Sequence, residues 1–151
     1  MMYFKLDEFV KSAVAKKHNI DNTPTKEVVK NIENLVTNIL DPARAILGEP
    51  ITIKSGFRSL ALNSHKEIQG APTSQHLYGE AADCVCSSNR RLFMLIKDNF
   101  EFDQLIGEDI QPGGDFKWVH VSFTTRKKNR KQVLVAKRNP NTKKMEYFDY
   151  K

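Results

Sequence analysis

Residues 74–83 read SQHLYGEAAD, a run that holds His76 and Asp83 seven positions apart with Gly79 between them. Regular i, i+4 helical spacing cannot join that pair, and the glycine suits a bend better than a helix interior. A loop running into a strand does join them. The chain bends at Gly79, and Asp83 follows on an extended segment facing back towards His76. An imidazole and a carboxylate so placed are two-thirds of a zinc site, which then needs a ligand from a distant part of the chain. His120, within WVHVSF (118–123), is the natural candidate.

Strand alternation tests that choice. Val119, Val121 and Phe123 point one way, whereas Trp118, His120 and Ser122 point the other. The apolar set suits a core under helices, which leaves His120 on the open face. Two neutral imidazoles and one carboxylate leave a zinc complex positively charged and open at its fourth position. Such a site acidifies bound water and polarises a carbonyl, the chemistry of peptide hydrolysis without a covalent intermediate. Cys84 and Cys86 fall on the strand face opposite Asp83 and are poor ligands. At i and i+2 they stand roughly 7 Å apart, whereas a disulfide needs Cβ atoms about 4 Å apart. They read as two small buried apolar residues.

Outward from this stretch, Leu6, Phe9, Val10, Ala13 and Val14 predict one helix over 6–17. Pro24 fits the first turn of the next helix, with Asn22 or Thr23 as its cap. The stripe Val28, Val29, Ile32, Leu35, Val36, Ile39 and Leu40 marks the clearest helix, with Pro42 as a bend or an end and Gly48 as the stop. A strand over 51–53, a short helix over 60–66 and a loop through Gly70 and Pro72 lead to residues 74–83. Ser87, Ser88 or Asn89 caps a helix bearing Leu92, Phe93, Leu95 and Ile96. Strands over 102–108 and 118–124 flank a loop with Pro112, Gly113 and Gly114, and 132–137 with 145–150 reads as a hairpin. Helices first and strands later predict an α+β domain, a mainly antiparallel sheet with helices packed on one face and the site on the other. A length of 151 residues suits one domain with its own core, covering 1–151.

SQHLYGEAAD resembles the S-x-H-x-x-G-x-A-x-D motif of the M15 family of zinc D,D-peptidases. Arg58 in SGFRSLALN (55–63), the strand FDQLIGE (102–108) and the closing WVHVSF follow the order of its D-Ala-D-Ala carboxypeptidase-like branch. The likeness runs from YFKLDEF (3–9) to NRKQVLVA (129–136). This resemblance implies a hedgehog/DD-peptidase-like fold, Zn2+ held by His76, Asp83 and His120, and hydrolysis of peptidoglycan stem peptides by a carboxypeptidase or an endopeptidase. It implies that Arg58 binds substrate and stabilises the oxyanion, a role suited to a permanently charged fork of donors. It also places Ser74 among the substrate-binding residues.

Relatives often carry an acid three positions before the last zinc histidine, where this chain has Lys117. Glu108 closes the FDQLIGE element and shares strand parity with Gln104 and Ile106, which makes it the preferred general base. Asp115, in the loop upstream of Trp118, is the second candidate. Trp118 shares parity with His120 and either walls the substrate groove or packs. Glu80 reads as a solvated loop residue, His65 as a surface residue or cleft neighbour, and His18 as a partner of the first helix's dipole.

Twenty-four Lys and Arg against eighteen Asp and Glu leave a formal net charge of +6, which suits an anionic partner. The run 126–131 reads as a solvated turn. With Lys137, Arg138, Lys143 and Lys144 it offers a patch for an anionic wall polymer. Basic and aromatic residues are not interleaved as in nucleic-acid modules, so nucleic acid is not an expected partner. No apolar run is long enough to span a bilayer. MMYFKLDEFVKSAVAKK alternates charged and apolar groups like an amphipathic helix, not a signal peptide. The expectation is synthesis in the cytoplasm and action at the bacterial cell wall. A zinc-bearing wall-binding module without turnover is the competing function, and Lys117 is the feature that favours it.

Overall fold

Six strands, β1 (Thr52–Ser55), β2 (Ala81–Val85), β3 (Gln104–Ile110), β4 (Phe116–Ser122), β5 (Gln132–Arg138) and β6 (Met145–Asp149), form one sheet in the order β1-β2-β4-β3-β5-β6. The computed structural model describes residues 1–151 and has the expected α+β architecture. Neighbouring strands are antiparallel except β3 and β5, which run parallel. The β5–β6 hairpin matches the sequence reading, but alternation within a hairpin does not say which sheet edge it joins.

Register sets which residues reach which face. Val121 of β4 lies opposite Leu105 of β3 and Ala82 of β2, and Val119 lies opposite Cys84. All five of these side chains are fully buried. His120 lies between Asp83 of β2 and Ile106 of β3, and Trp118 lies opposite Glu108. A slip of one residue would turn Val119 and Val121 to the opposite face and His120 into the core, so burial of the apolar set fixes the face that His120 takes. Phe116 departs from the alternation, because its ring packs 4.9 Å from that of Phe93 in the core.

The helices are α1 (Leu6–Val10), α2 (Ala13–Lys17), α3 (Lys26–Leu35), α4 (Asp41–Leu47), α5 (Leu60–Ser64) and α6 (Asn89–Asn99). The single helix expected over 6–17 is two, because Ser12 breaks it and caps α2 through Ala15 N–H. Thr25 caps α3, not Asn22 or Thr23. Asn22 instead donates to Val10 O and Phe57 O and accepts from Ser59 N–H, so it ties α1 to the segment that carries Arg58. Pro42 neither ends nor breaks the long helical run. A π-helical segment, Val36–Leu40, joins α3 to α4, with Asp41 N–H donating to Val36 O. Widening the turn there accommodates a proline that has no N–H to give.

Ile32, Leu35, Ile39 and Leu40 along this run meet Leu92, Phe93 and Ile96 of α6 and the apolar face of the sheet in one cluster of 22 buried residues. Each such side chain contributes roughly 1.5–3 kcal/mol on burial, which is what holds the helices to that face. Cys84 belongs to this core, and burial pushes its thiol up. Cys86 is half-buried and its thiol donates to Ser88 O at 3.2 Å, so both cysteines are free, as read from their spacing. No helix is long and apolar enough to cross a membrane.

Candidate metal centre

Ser74 caps a single 3-10 turn, Gln75–Tyr78, and Gly79 at φ +73° swings the chain into β2. A Cβ at position 79 would stand 2.8 Å from Val28 O, so the left-handed backbone and the close approach to α3 both select glycine. The segment before α5 braces this turn from below. Arg58 N–H donates to His76 O at 3.0 Å, and His76 Nδ1 donates to Gly56 O at 2.6 Å. Gly56 itself lies against Phe9, whose carbonyl oxygen would be 2.6 Å from any Cβ there. The His76 ring is thus oriented by backbone that only glycine allows to pass so close.

His76 Nε2 stands 3.4 Å from Asp83 Oδ2, and His120 Nδ1 stands 3.1 Å from Asp83 Oδ1. The two imidazole centroids are 5.2 Å apart, and one ligand atom from each of the three residues lies within 4.8 Å of the others. His76 Nδ1 is committed to Gly56 O, so Nε2 is the ring nitrogen directed at the Asp83 carboxylate. Burial works against the charge on Asp83, but attraction to His76 and hydrogen bonding from His120 outweigh it and hold the carboxyl well below its usual range. Two ring nitrogens and one ionised carboxylate, with room for a further ligand, fit a divalent cation.

This cluster lies in a cleft of about 1000 Å³ whose walls include Arg58, Glu108, Trp118 and Tyr147. Glu108 is 7 % exposed, and its Oε1 has no hydrogen-bond partner. Burial raises its pKa to about 7; attraction to His120 opposes the shift and repulsion from Asp83 adds to it. Arg58 Nε is likewise buried without a partner, while Nη2 lies 3.5 Å from Ser74 Oγ. Burial lowers the Arg58 pKa and the Asp83 charge opposes this. β3 and the loop after β1 therefore bring a buried carboxyl and a half-buried guanidinium, each with an unused hydrogen-bonding atom, to one His-Asp-His cluster.

A family model described as peptidase M15 matches residues 2–122. The chain belongs to the peptidase M15 family. Its members are metal-dependent peptidases, so this chain's class of substrate is a peptide and its His76, Asp83 and His120 are candidate metal-binding residues. The match ends with β4 and leaves residues 123–151, hence β5 and β6, outside it. No curated protein matches the chain.

Not every residue singled out in this M15 peptidase reaches the cleft. Asp115 lies elsewhere: its Oδ1 accepts from Arg90 N–H at 2.6 Å and Phe116 N–H at 2.8 Å, at the start of α6. The loop residue that looked free to serve as a base is held by backbone donors. Lys117 is exposed and lies 4.0 Å from Asp109. Ser74 lines the cleft but also accepts His76 N–H at 3.2 Å, so its hydroxyl already has a local partner. Trp118 lines the cleft, with Lys54 Nζ 5.6 Å from its ring centroid.

Two readings of charge are corrected. Glu80, expected in solvent, is fully buried and accepts from Arg126 Nε at 3.0 Å, Arg126 Nη2 at 2.7 Å and the Thr124 hydroxyl at 2.7 Å. Asp103, also fully buried, takes Arg130 through Nε at 3.0 Å and Nη2 at 2.9 Å. The basic run 126–131 is therefore fastened at two points to carboxylates beneath it, with both arginines on the cleft rim. Sequence reasoning missed this clamp because its partners are 46 and 27 residues apart. It also missed Tyr147, whose position beside Glu108 depends on the hairpin joining the far side of β3. Burial and the neighbouring Glu108 push the Tyr147 hydroxyl up to about 12.

Proposed function

We propose that residues 1–151 act as one zinc peptidase domain that hydrolyses peptidoglycan stem peptides at the bacterial cell wall, with Zn2+ held by His76, Asp83 and His120 on the helix-free face of a hedgehog/DD-peptidase-like fold. The observation that carries this reading is Glu108, a buried carboxyl with an unpaired oxygen in the same cleft as the His-Asp-His cluster. A bound zinc ion supplies Lewis acidity towards a scissile carbonyl and towards water. Glu108 then holds and moves the proton, taking it at its free Oε1 and returning it to the leaving amine. A pKa near 7 suits that double duty. Arg58, anchored through its own backbone beneath His76, donates from its unused Nε to charge developing on the carbonyl oxygen. Trp118 and Ser74 bound the substrate groove. Arg126, Lys127 and Arg130 line the rim, and the charge that Glu80 and Asp103 leave uncompensated among them suits an anionic wall polymer.

The binding-module reading drew on Lys117 at the position of the usual acid. Glu108, on the neighbouring strand, supplies the missing carboxylate from the cleft wall, which favours turnover. Mass spectrometry of purified murein fragments incubated with the zinc-loaded protein tests the proposal. Loss of a terminal D-Ala marks a carboxypeptidase, and cleavage within the stem or cross-link marks an endopeptidase. Intact fragments together with retention on the wall would install the binding module instead.

A further inference from the structure

We propose that His18, His65 and Glu67 form a second divalent-cation site of zinc type, outside the cleft, that fastens the loop after α5 to the end of α2. His18 is the C-cap of α2, and His65 follows α5 as its C-cap. One ligand atom from each of the three residues lies within 4.8 Å of the others. His18 Nε2 contacts Glu67 Oε2, and the two imidazole centroids are 4.3 Å apart at an interplanar angle of 37°. Segments 49 residues apart thus assemble two ring nitrogens and a carboxylate oxygen, the donor set of the cleft in another setting. Imidazole pairs favour zinc and its transition-metal neighbours over magnesium or calcium, which prefer all-oxygen shells.

The surroundings permit an ion. A neutral imidazole has one free lone pair, and that of His65 now accepts Glu67 N–H through Nδ1 at 3.2 Å. This bond is long and exposed, and either ring nitrogen of His65 can ligate once it is released. Lys17 Nζ, 3.6 Å from Glu67 Oε1, is a weak competitor, because an exposed ion pair contributes little. The loop concerned matters to the cleft: Ile68, Ala71 and Pro72 form part of its wall. Its own anchor is Asn63, whose side chain donates to Ala71 O at 3.0 Å and whose carbonyl accepts Gly70 N–H at 2.8 Å. An ion at His18, His65 and Glu67 adds a second anchor that fixes this wall to the N-terminal helices.

The test strips the full chain of metal, titrates it with zinc and counts bound ions by elemental analysis. Wild type is expected to hold about two zinc ions per chain, and H76A and the double variant H18A/H65A about one each. Zinc should slow proteolysis of the 65–73 loop in H76A and leave it unchanged when H18A/H65A is added. Glu67→Gln, which keeps a side chain of the same shape, should weaken the second site at least about 10-fold. Saturation of wild type at one zinc, with H76A binding none, would overturn the proposal. Because the second ion is counted in H76A, that result stands apart from whatever happens in the cleft.

Discussion

The His76, Asp83 and His120 side chains are 3, 18 and 12 % exposed, whereas those of His18 and Glu67 are 30 and 35 % exposed. Both clusters offer two imidazoles and a carboxylate. In the cleft, a 3-10 turn and the Gly56 carbonyl fix His76, and paired strands fix Asp83 and His120. On the surface, two helix ends and a loop bring the donors together, and solvent reaches them. The greater difference lies in what stands nearby. The buried Glu108 and the half-buried Arg58, each with a buried unused atom, share the cleft, while the charged neighbour of the surface cluster is the exposed Lys17. Like donor sets therefore serve unlike ends. The buried one sits in a low-dielectric pocket where charge can be moved, and the exposed one can hold an ion and fasten a loop.

Replacing one ligand in the cleft should separate the two clusters most widely. His76→Ala removes the imidazole that Gly56 orients, and peptide turnover should fall on the order of 10³-fold or more. His18→Ala should leave turnover near wild type. Parallel assays of the two variants with metal counts check this, and equal losses would erase the distinction.

Glu108→Gln should keep metal and fold while turnover falls about 10²- to 10⁴-fold, the range for loss of a positioned general base. Retained turnover would move the proton transfer elsewhere. Arg58→Lys comes next. Turnover should fall on the order of 10²-fold, mainly in kcat, because a lysine offers charge without the fork. A change confined to KM would make Arg58 a binding residue only.

A smaller effect concerns stability of the metal-free protein. Glu108 has a folded pKa of about 7, raised from 4.5, so the folded state binds its proton more tightly than the unfolded state. Stability from this group is present below the ordinary value and is lost as pH rises through about 7. Wild type should lose about 2–3 kcal/mol between pH 4.5 and 8 relative to Glu108→Gln. Denaturant unfolding at both pH values measures it, and parallel pH profiles for the two proteins would contradict it. The depressed Asp83 carboxyl loses its contribution at lower pH, outside this window. Smallest of all, Asp115→Asn should leave turnover unchanged and cost at most about 1 kcal/mol, through the start of α6.

Much of the site was legible because its signals are local. Gly79 marks a bend whatever lies around it, and parity along WVHVSF assigns His120 to a face before any partner strand is known. Glu108 was readable for the same reason, since it shares parity with Ile106. Asp115 was not, because an aspartate in a glycine-rich loop has the same sequence signature whether it faces a cleft or caps a helix. The break at Ser12, the π-helical segment before Pro42 and the burial of Glu80 were hidden likewise. Each depends on a partner dozens of residues away or on how one turn is packed.

By itself the sequence determined which residues can ligate, which strand faces are apolar and where the chain must bend, since these follow from side-chain chemistry and from backbone periods of one or two residues. Tertiary structure alone decided the rest. It laid β5 parallel to β3, brought Tyr147 beside Glu108, and fastened Arg126 and Arg130 to buried carboxylates. It also assembled His18, His65 and Glu67. Contacts across such separations leave no periodic trace in the chain, because they are selected by how whole elements pack and not by the spacing of the residues that meet.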